Sequence, residues 1–317
     1  MAAFSQLPRI PLWIENLLDA STLVALLFPA LYFSVFRPLT QLIDQHVQME
    51  GELLGHREHL EELVENRTEE INQYIKLHDD EDVLAAYVMS RYLDSSYRDK
   101  RVEYSILSAS HHFSGDAISV AKTPDGGLNV MMLDAMGHGL SAAINALPAI
   151  QAFYAMSKKD MPLETLVPEI NDKVRELSPP GRFLSGTFLR LAPDASMLTG
   201  WIGGTPKIYL HFAGNIQTFS SANLPLGIRP SCKLEFSYFS APWHSHSMLL
   251  TCTDGVIESR GPDGKDLGER WLCDVIQKYG NALDEALFKK IWVESMGGNK
   301  PHDDASILII SQILSMM

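Results

Sequence analysis

Residues 130–143 read VMMLDAMGHGLSAA: an apolar run that stops at Asp134, a Gly137-His138-Gly139 turn, and then a helix-like start. Taken alone, a carboxylate at the end of a strand on a glycine-rich turn is a turn or capping residue. The surrounding pattern gives it more weight. Upstream, VEYSILSA (102–109), AISVAKT (117–123) and LNVMML (128–133) read as strands, the last two joined by PDGG, in which glycine supplies positive φ. Downstream, helices are expected over about 141–156 and 163–177. Strands follow near 183–191, 196–201, 207–212, 216–219, 234–239 and 247–252, then helices over 269–279 and 282–295, and a last strand ASILIIS (305–311). Strands in blocks with helices in pairs point to an α+β fold, an antiparallel β-sandwich flanked by helices, rather than an alternating parallel α/β fold.

The 317 residues suffice for a sizeable core and more than one domain. The net charge of −13 argues against a nucleic-acid partner, since phosphate binding needs a basic face. That charge is concentrated: residues 50–82 hold twelve Asp or Glu against Arg57, Arg67 and Lys76, so the acidity belongs to a linker. Cys232, Cys252 and Cys273 form no CxxC pair and read as reduced core residues rather than a disulfide frame or zinc site.

Between Asp19 and Arg37 lie 17 uncharged residues, ASTLVALLFPALYFSVF. As a helix they would span about 25 Å, slightly short of a hydrocarbon core of about 30 Å. Leu17, Leu18 and the upstream IPLWI can extend the span, Arg37 can snorkel, and Trp13, Tyr32 and Phe36 suit interfacial belts. A transmembrane helix is expected, with a buried core helix as the alternative. A cleaved signal peptide fits poorly, because Glu15 and Asp19 precede the apolar run and no small-x-small site follows it. Beyond it, Leu42, His46, Met49, Leu53, His56, Leu60, Leu63, Arg67, Glu70, Tyr74 and Leu77 fall at three- and four-residue steps. This imperfect heptad fits either a parallel homodimeric coil or a single solvated helix. Residues 79–98 read as a separate amphipathic helix. The expected domains are 1–38 (N-terminal segment and transmembrane helix), 39–98 (helical linker) and 99–317 (the sandwich).

Several aspartates share one description. Asp116 sits in FSGDAIS just before a strand, Asp134 ends MMLD, Asp254 follows MLLTCT, and Asp303 and Asp304 precede ASILII. Carboxylates gathered at strand ends repel one another unless a cation joins them. Oxygen donors without Cys or regular His spacing select Mg²⁺ or Mn²⁺ over zinc or copper.

SGDAIS, LDAMGHGLSAA, GTFLRL, GGTPKIYL, ANLPLGI, TDGVIES and HDDASILII, in this order over about residues 100–312, resemble the PPM-type serine/threonine phosphatase domain, most of all its bacterial SpoIIE/RsbU branch. The resemblance implies two Mn²⁺ or Mg²⁺ ions and hydrolysis of a phosphoester by an activated water. Asp134 would bridge the ions beside the backbone carbonyl of Ala135, which stands where glycine is common. Asp254 and Asp303 would hold one ion, Asp116 would sit at the other side, and Asp304 would belong to a further, weaker site. His138 would protonate the leaving oxygen, although a histidine on such a turn is as often structural. Ser114 and Ser119 depart from the commoner GGDxxD form, which puts the outer coordination in question at Ser119. Asn223 is expected to shape a turn.

The resemblance further implies a phosphorylated protein substrate, in this branch a STAS-domain anti-sigma-factor antagonist. With the anchor and coil, it makes a single-pass protein of the inner (cytoplasmic) membrane with its catalytic domain in the cytoplasm. The rival expectation is a catalytically weak signalling scaffold that binds partner proteins through the same fold. An anchor-plus-coil layout also suits a histidine kinase, which the C-terminal motifs do not support.

Overall fold

The computed structural model describes residues 12–93, 96–108, 113–137, 139–299 and 301–311. The chain divides into two compact units, Met1–His78 and Asp79–Met317. The described residues of the N-terminal unit are helical. Helix α1 (Leu12–Leu31) passes through a π-helical turn (Tyr32–Phe36) into α2 (Arg37–Leu93). Pro38 cannot donate to a helical ladder, and one residue before it the ladder shifts register: Arg37 N–H bonds the Tyr32 carbonyl, five residues back. Helix α2 is a single element, so the separate helix expected over 79–98 is instead the continuation of α2 to Leu93. No Pro or Gly interrupts residues 56–93, and helix-compatible pairs such as Arg57–Glu61 (3.4 Å) and Arg67–Glu70 (2.6 Å) punctuate its exposed surface.

The second unit is a sandwich of two five-stranded antiparallel sheets. One sheet runs β1-β10-β9-β6-β7 and the other β2-β3-β4-β5-β8. In chain order the strands are β1 (Val102–Leu107), β2 (Ala117–Lys122), β3 (Leu128–Ala135), β4 (Leu184–Leu191), β5 (Met197–Gly203), β6 (Ile208–Phe212), β7 (Asn215–Phe219), β8 (Phe239–Pro242), β9 (Met248–Cys252) and β10 (Ala305–Ser311). Helices α3 (Leu140–Ser157) and α4 (Leu163–Leu177) cover the β2–β8 sheet. The one-turn α5 (Asp254–Ile257), α6 (Gly268–Tyr279) and α7 (Glu285–Met296) belong to the other side.

Helices on both outer faces explain why the strands read as continuous apolar runs. Along β3, Val130 and Met132 face the core between the sheets, while Met131, Leu133 and Ala135 pack with Ala142, Ile150 and Phe153 of α3. In β10, Leu308 and Ile310 face the first core and Ile307 and Ile309 pack under α6 and α7. The strand expected at 234–239 forms later, at Phe239–Pro242. Its pairing with β5 starts at Phe239 opposite Gly200, where a side chain would meet the Phe239 ring at 2.3 Å. The helix expected from 282 starts at Glu285, after Asp284 caps it by accepting from Leu287 N–H at 2.7 Å.

Candidate functional site

The aspartates meet where β3 and β9 end and β2 and β10 begin. Gly115 is the knot. Its N–H donates to the Asp304 carboxylate at 2.5 Å, and its carbonyl accepts from Ala135 N–H at 3.2 Å. A Cβ at Gly115 would stand 3.0 Å from the carbonyls of Ala135 and Gly137, so a side chain there would press the three segments apart by a few tenths of an ångström. Ser108 Oγ also donates to Asp304, at 3.2 Å. Gly255 does the same for α5: a Cβ there would lie 2.1 Å from the Asp304 carbonyl.

Asp116 is buried, 3% exposed, and accepts from Thr253 Oγ1 at 2.8 Å. The same Thr253 oxygen accepts from Ser306 N–H at 2.8 Å, so one hydroxyl ties β2, β9 and β10. Burial pushes the Asp116 carboxyl up to about 7. The Ser306 and Thr253 hydroxyls work against that shift, and the charges of Asp304 and Asp254 add to it. Asp134, opposite Ser185 on β4, is pushed up to about 8, first by burial and then by the charges of Asp254, Asp116, Asp303 and Asp304. Asp254 opens α5 and is also raised, by burial and then by Asp303, against the pull of the Gly255 N–H. Asp303 is exposed and accepts from Asp304 N–H at 2.8 Å.

Asp134 therefore lies within electrostatic reach of the other four sequence-read aspartates, and Ala135 abuts the cluster through Gly115. Ser119 is on a different surface: it shares its face of β2 with Ala117 and Ala121, which pack beneath α3. Asn223 spends its amide on backbone, donating to the carbonyls of Ile202 (2.9 Å) and Ser237 (3.0 Å) and accepting from Ser237 N–H (2.8 Å), as a turn-shaping residue does. His138 lies outside the described residues. Sequence reading missed Gly115, Thr253 and Ser108. Gly115 was visible only as a small neighbour of Asp116, and the hydroxyls carry no local signal.

A cleft of about 340 Å³ opens beside Asp303 and Gly255, lined also by Glu258, Arg260, Asp266 and His302. Burial and the Asp254, Asp266 and Asp303 charges raise the Glu258 carboxyl as well. A larger cleft of about 740 Å³, between Tyr97–Tyr104 and the start of α7, contains none of the site aspartates. Among the described residues no three His, Cys, Asp or Glu side chains already enclose an ion. The donor set nevertheless fits a hard divalent cation: all carboxylate or carbonyl oxygen, desolvated, and mutually repelling until a positive charge joins it.

A family model described as stage II sporulation protein E (SpoIIE) matches residues 124–312, more than half of the chain. The matched span contains Asp134, Asp254, Asp303 and Asp304, and begins after Asp116. The fold is similar to that of the SiaA PP2C domain of Pseudomonas aeruginosa (TM-score 0.61, 17% identity, covering 74% of this chain and 97% of that one). It is also similar to the RsbU and RsbW domains of a Mycobacterium tuberculosis protein (0.54, 16%, 66% and 59%). A third match is the PP2C phosphatase domain, with a regulatory fragment, of SpoIIE from Bacillus subtilis (0.54, 18%, 67% and 63%). At these identities the matches establish a PP2C fold. No curated protein sequence matches the chain.

Proposed function

The chain belongs to the SpoIIE family, and from that premise we propose that it is a membrane-anchored, metal-dependent protein phosphatase acting on phosphoserine or phosphothreonine. The observation that carries the reading is the convergence of Asp116, Asp134, Asp254, Asp303 and Asp304, with Asp134 pushed up to about 8 by burial and by the other four charges. A binding surface has no use for such a cluster, whereas a cation site requires it.

Asp134, Asp254, Asp303, Asp116 and the Ala135 carbonyl are the groups that would hold two Mn²⁺ or Mg²⁺ ions. Asp304 is already engaged by Gly115 N–H and Ser108, so its first role is to fasten the site, with any further ion held more weakly. Bound divalent ions supply a water acidic enough to ionise near neutral pH and positive charge for the phosphoryl oxygens. The chain's own contribution is placement: Thr253 fixes the Asp116 carboxylate, and Gly115 and Gly255 let the strand ends approach. His138, four positions after Asp134 in the sequence, is the residue we assign to protonating the leaving seryl oxygen.

The substrate we infer is a phosphorylated STAS-domain protein, on the resemblance to the SpoIIE/RsbU branch. Residues 1–38, 39–98 and 99–317 are assigned to anchor, linker and phosphatase. The N-terminal helical run is apolar and long enough to cross a bilayer, and none of its apolar window is buried, which favours an anchor over a core helix. Leu42, Met49, Leu53, Leu60 and Leu63 are exposed along α2 and supply the apolar positions of a homodimeric coil. The expected placement is single-pass in the cytoplasmic membrane.

One observation favours the rival scaffold reading: among the described residues no donor trio is already set in ligand geometry. Phosphate release by the full-length protein in detergent, measured with Mn²⁺ and with a chelator, separates the two. Release that vanishes with chelation is expected, and release under neither condition favours the scaffold.

A further inference from the structure

We propose that Arg182 binds the substrate's phosphoryl group, using guanidinium N–H groups left over from its tether beside Asp134. The proposal rests on the phosphatase reading above.

The placement follows from strand register. Asp134 pairs with Ser185 and Ala135 with Leu184, so the chain leaving β3 and the chain entering β4 continue side by side past the ladder. There Arg182 Nη1 donates to the Met136 carbonyl at 2.9 Å, two residues beyond Asp134. Gly137, at φ +90°, is the residue under the guanidinium: a Cβ there would stand 3.3 Å from Nη1. Arg182 is itself presented by a tight turn. Its N–H bonds the Pro179 carbonyl at 3.1 Å, with Pro180 next and Gly181 at φ +82°, the pattern of a type II turn. A Pro-Pro-Gly turn fixes the backbone before any ligand arrives.

The charge of Arg182 is uncommitted. Arg101 pairs with Asp99, Arg190 with Asp125 and Asp160, and Arg260 with Asp266. Among the described residues Arg182 has no carboxylate partner; the partner it has is a neutral carbonyl. Guanidinium offers five donors in a planar fork suited to phosphate oxygens, and the Met136 bond uses one. A phosphoryl dianion approaching five aspartates needs a cation at the rim of the site. Arg182, half-buried and tied to the turn that follows Asp134, is placed to supply it.

The test uses full-length protein in detergent with Mn²⁺, comparing wild type, Arg182→Ala and Arg182→Lys. The readouts are KM and kcat for para-nitrophenyl phosphate, the inhibition constant of orthophosphate, and the thermal midpoint. Arg182→Ala should raise both KM and the orthophosphate constant by roughly tenfold to a hundredfold, the loss of one charge-assisted phosphate contact. The midpoint should stay close to wild type, and Arg182→Lys should fall between because it keeps charge without the fork. Unchanged KM and orthophosphate constant in Arg182→Ala, or a lowered midpoint as its sole effect, would overturn the proposal in favour of a structural tie. If wild type hydrolyses nothing, the phosphatase reading fails by itself, and orthophosphate binding by calorimetry then decides Arg182. Binding lost in Arg182→Ala supports the assignment; equal binding, or none by wild type, refutes it.

Discussion

The two units handle apolar side chains in opposite ways. In the sandwich, Val130, Met132, Leu308 and Ile310 are at most 1% exposed, and the inner strands β3 and β10 are covered on both faces. In α2, Leu42, Leu53 and Leu60 are 57–68% exposed, and in α1 Leu26 and Phe28 exceed 70%. A closed core can hold charged groups in an unfavourable arrangement because the surrounding packing fixes them, and the aspartate cluster is such an arrangement. An open helix stores nothing comparable; its apolar residues stay exposed, and the proposed bilayer or second copy would cover them. Substitutions at the site should therefore act on stability and chemistry together, while substitutions on the helix should act on association alone.

The most severe test of that contrast is Gly255→Ala. Its new Cβ would sit 2.1 Å from the Asp304 carbonyl. Backbone must move, at a cost of about 3 kcal/mol or more, read as a lowered urea midpoint and loss of the site. Next comes Thr253→Val, which strips a donor from Asp116 and leaves the Ser306 N–H without its acceptor. A loss of about 2 kcal/mol is expected from one unsatisfied buried group and one lost bond to a carboxylate.

A gentler probe is pH. Asp116 and Asp134, pushed up to about 7 and about 8, keep protons in the folded chain that the unfolded chain releases near 3.8. Folding without metal is therefore coupled to proton uptake. Stability should fall as pH rises from about 4 to about 8, and millimolar Mn²⁺ should reverse the fall. A thermal midpoint that rises over this range without metal contradicts the account. The smallest effect belongs to the helix: Leu53→Glu should weaken self-association in light scattering while changing sandwich stability by no more than about 0.5 kcal/mol.

Much of this was legible in the sequence, for a physical reason. Runs such as VMML and ASILII announce strands whichever face is inward, and an aspartate ending such a run stands out. Residues whose importance lies across the fold were not legible. Asp304 read as an outer ligand, yet its carboxylate is held by Gly115, a residue 189 positions earlier. Ser119 was legible as a departure from the commoner motif, but the face of β2 that it shares with Ala117 and Ala121 was not. The shift of β8 to Phe239 depends on a ring passing over Gly200, and the unbroken α2 on the absence of any interruption near 79, where a separate helix was expected to start. Arg182 carried one local signal, the Pro-Pro-Gly before it; the Met136 carbonyl that places it is visible only once β3 and β4 are paired.

The central claim is that Asp134 is a metal-holding group rather than a turn cap. The most direct measurement is Mn²⁺ titration calorimetry on full-length wild type and Asp134→Asn in detergent, with phosphate release from a phosphoserine STAS protein followed on the same samples. The account predicts Mn²⁺ binding and metal-dependent release by wild type, both lost in a variant that remains folded and is more stable than wild type at pH 8 without metal. Equal Mn²⁺ binding and equal release by the two proteins would contradict it.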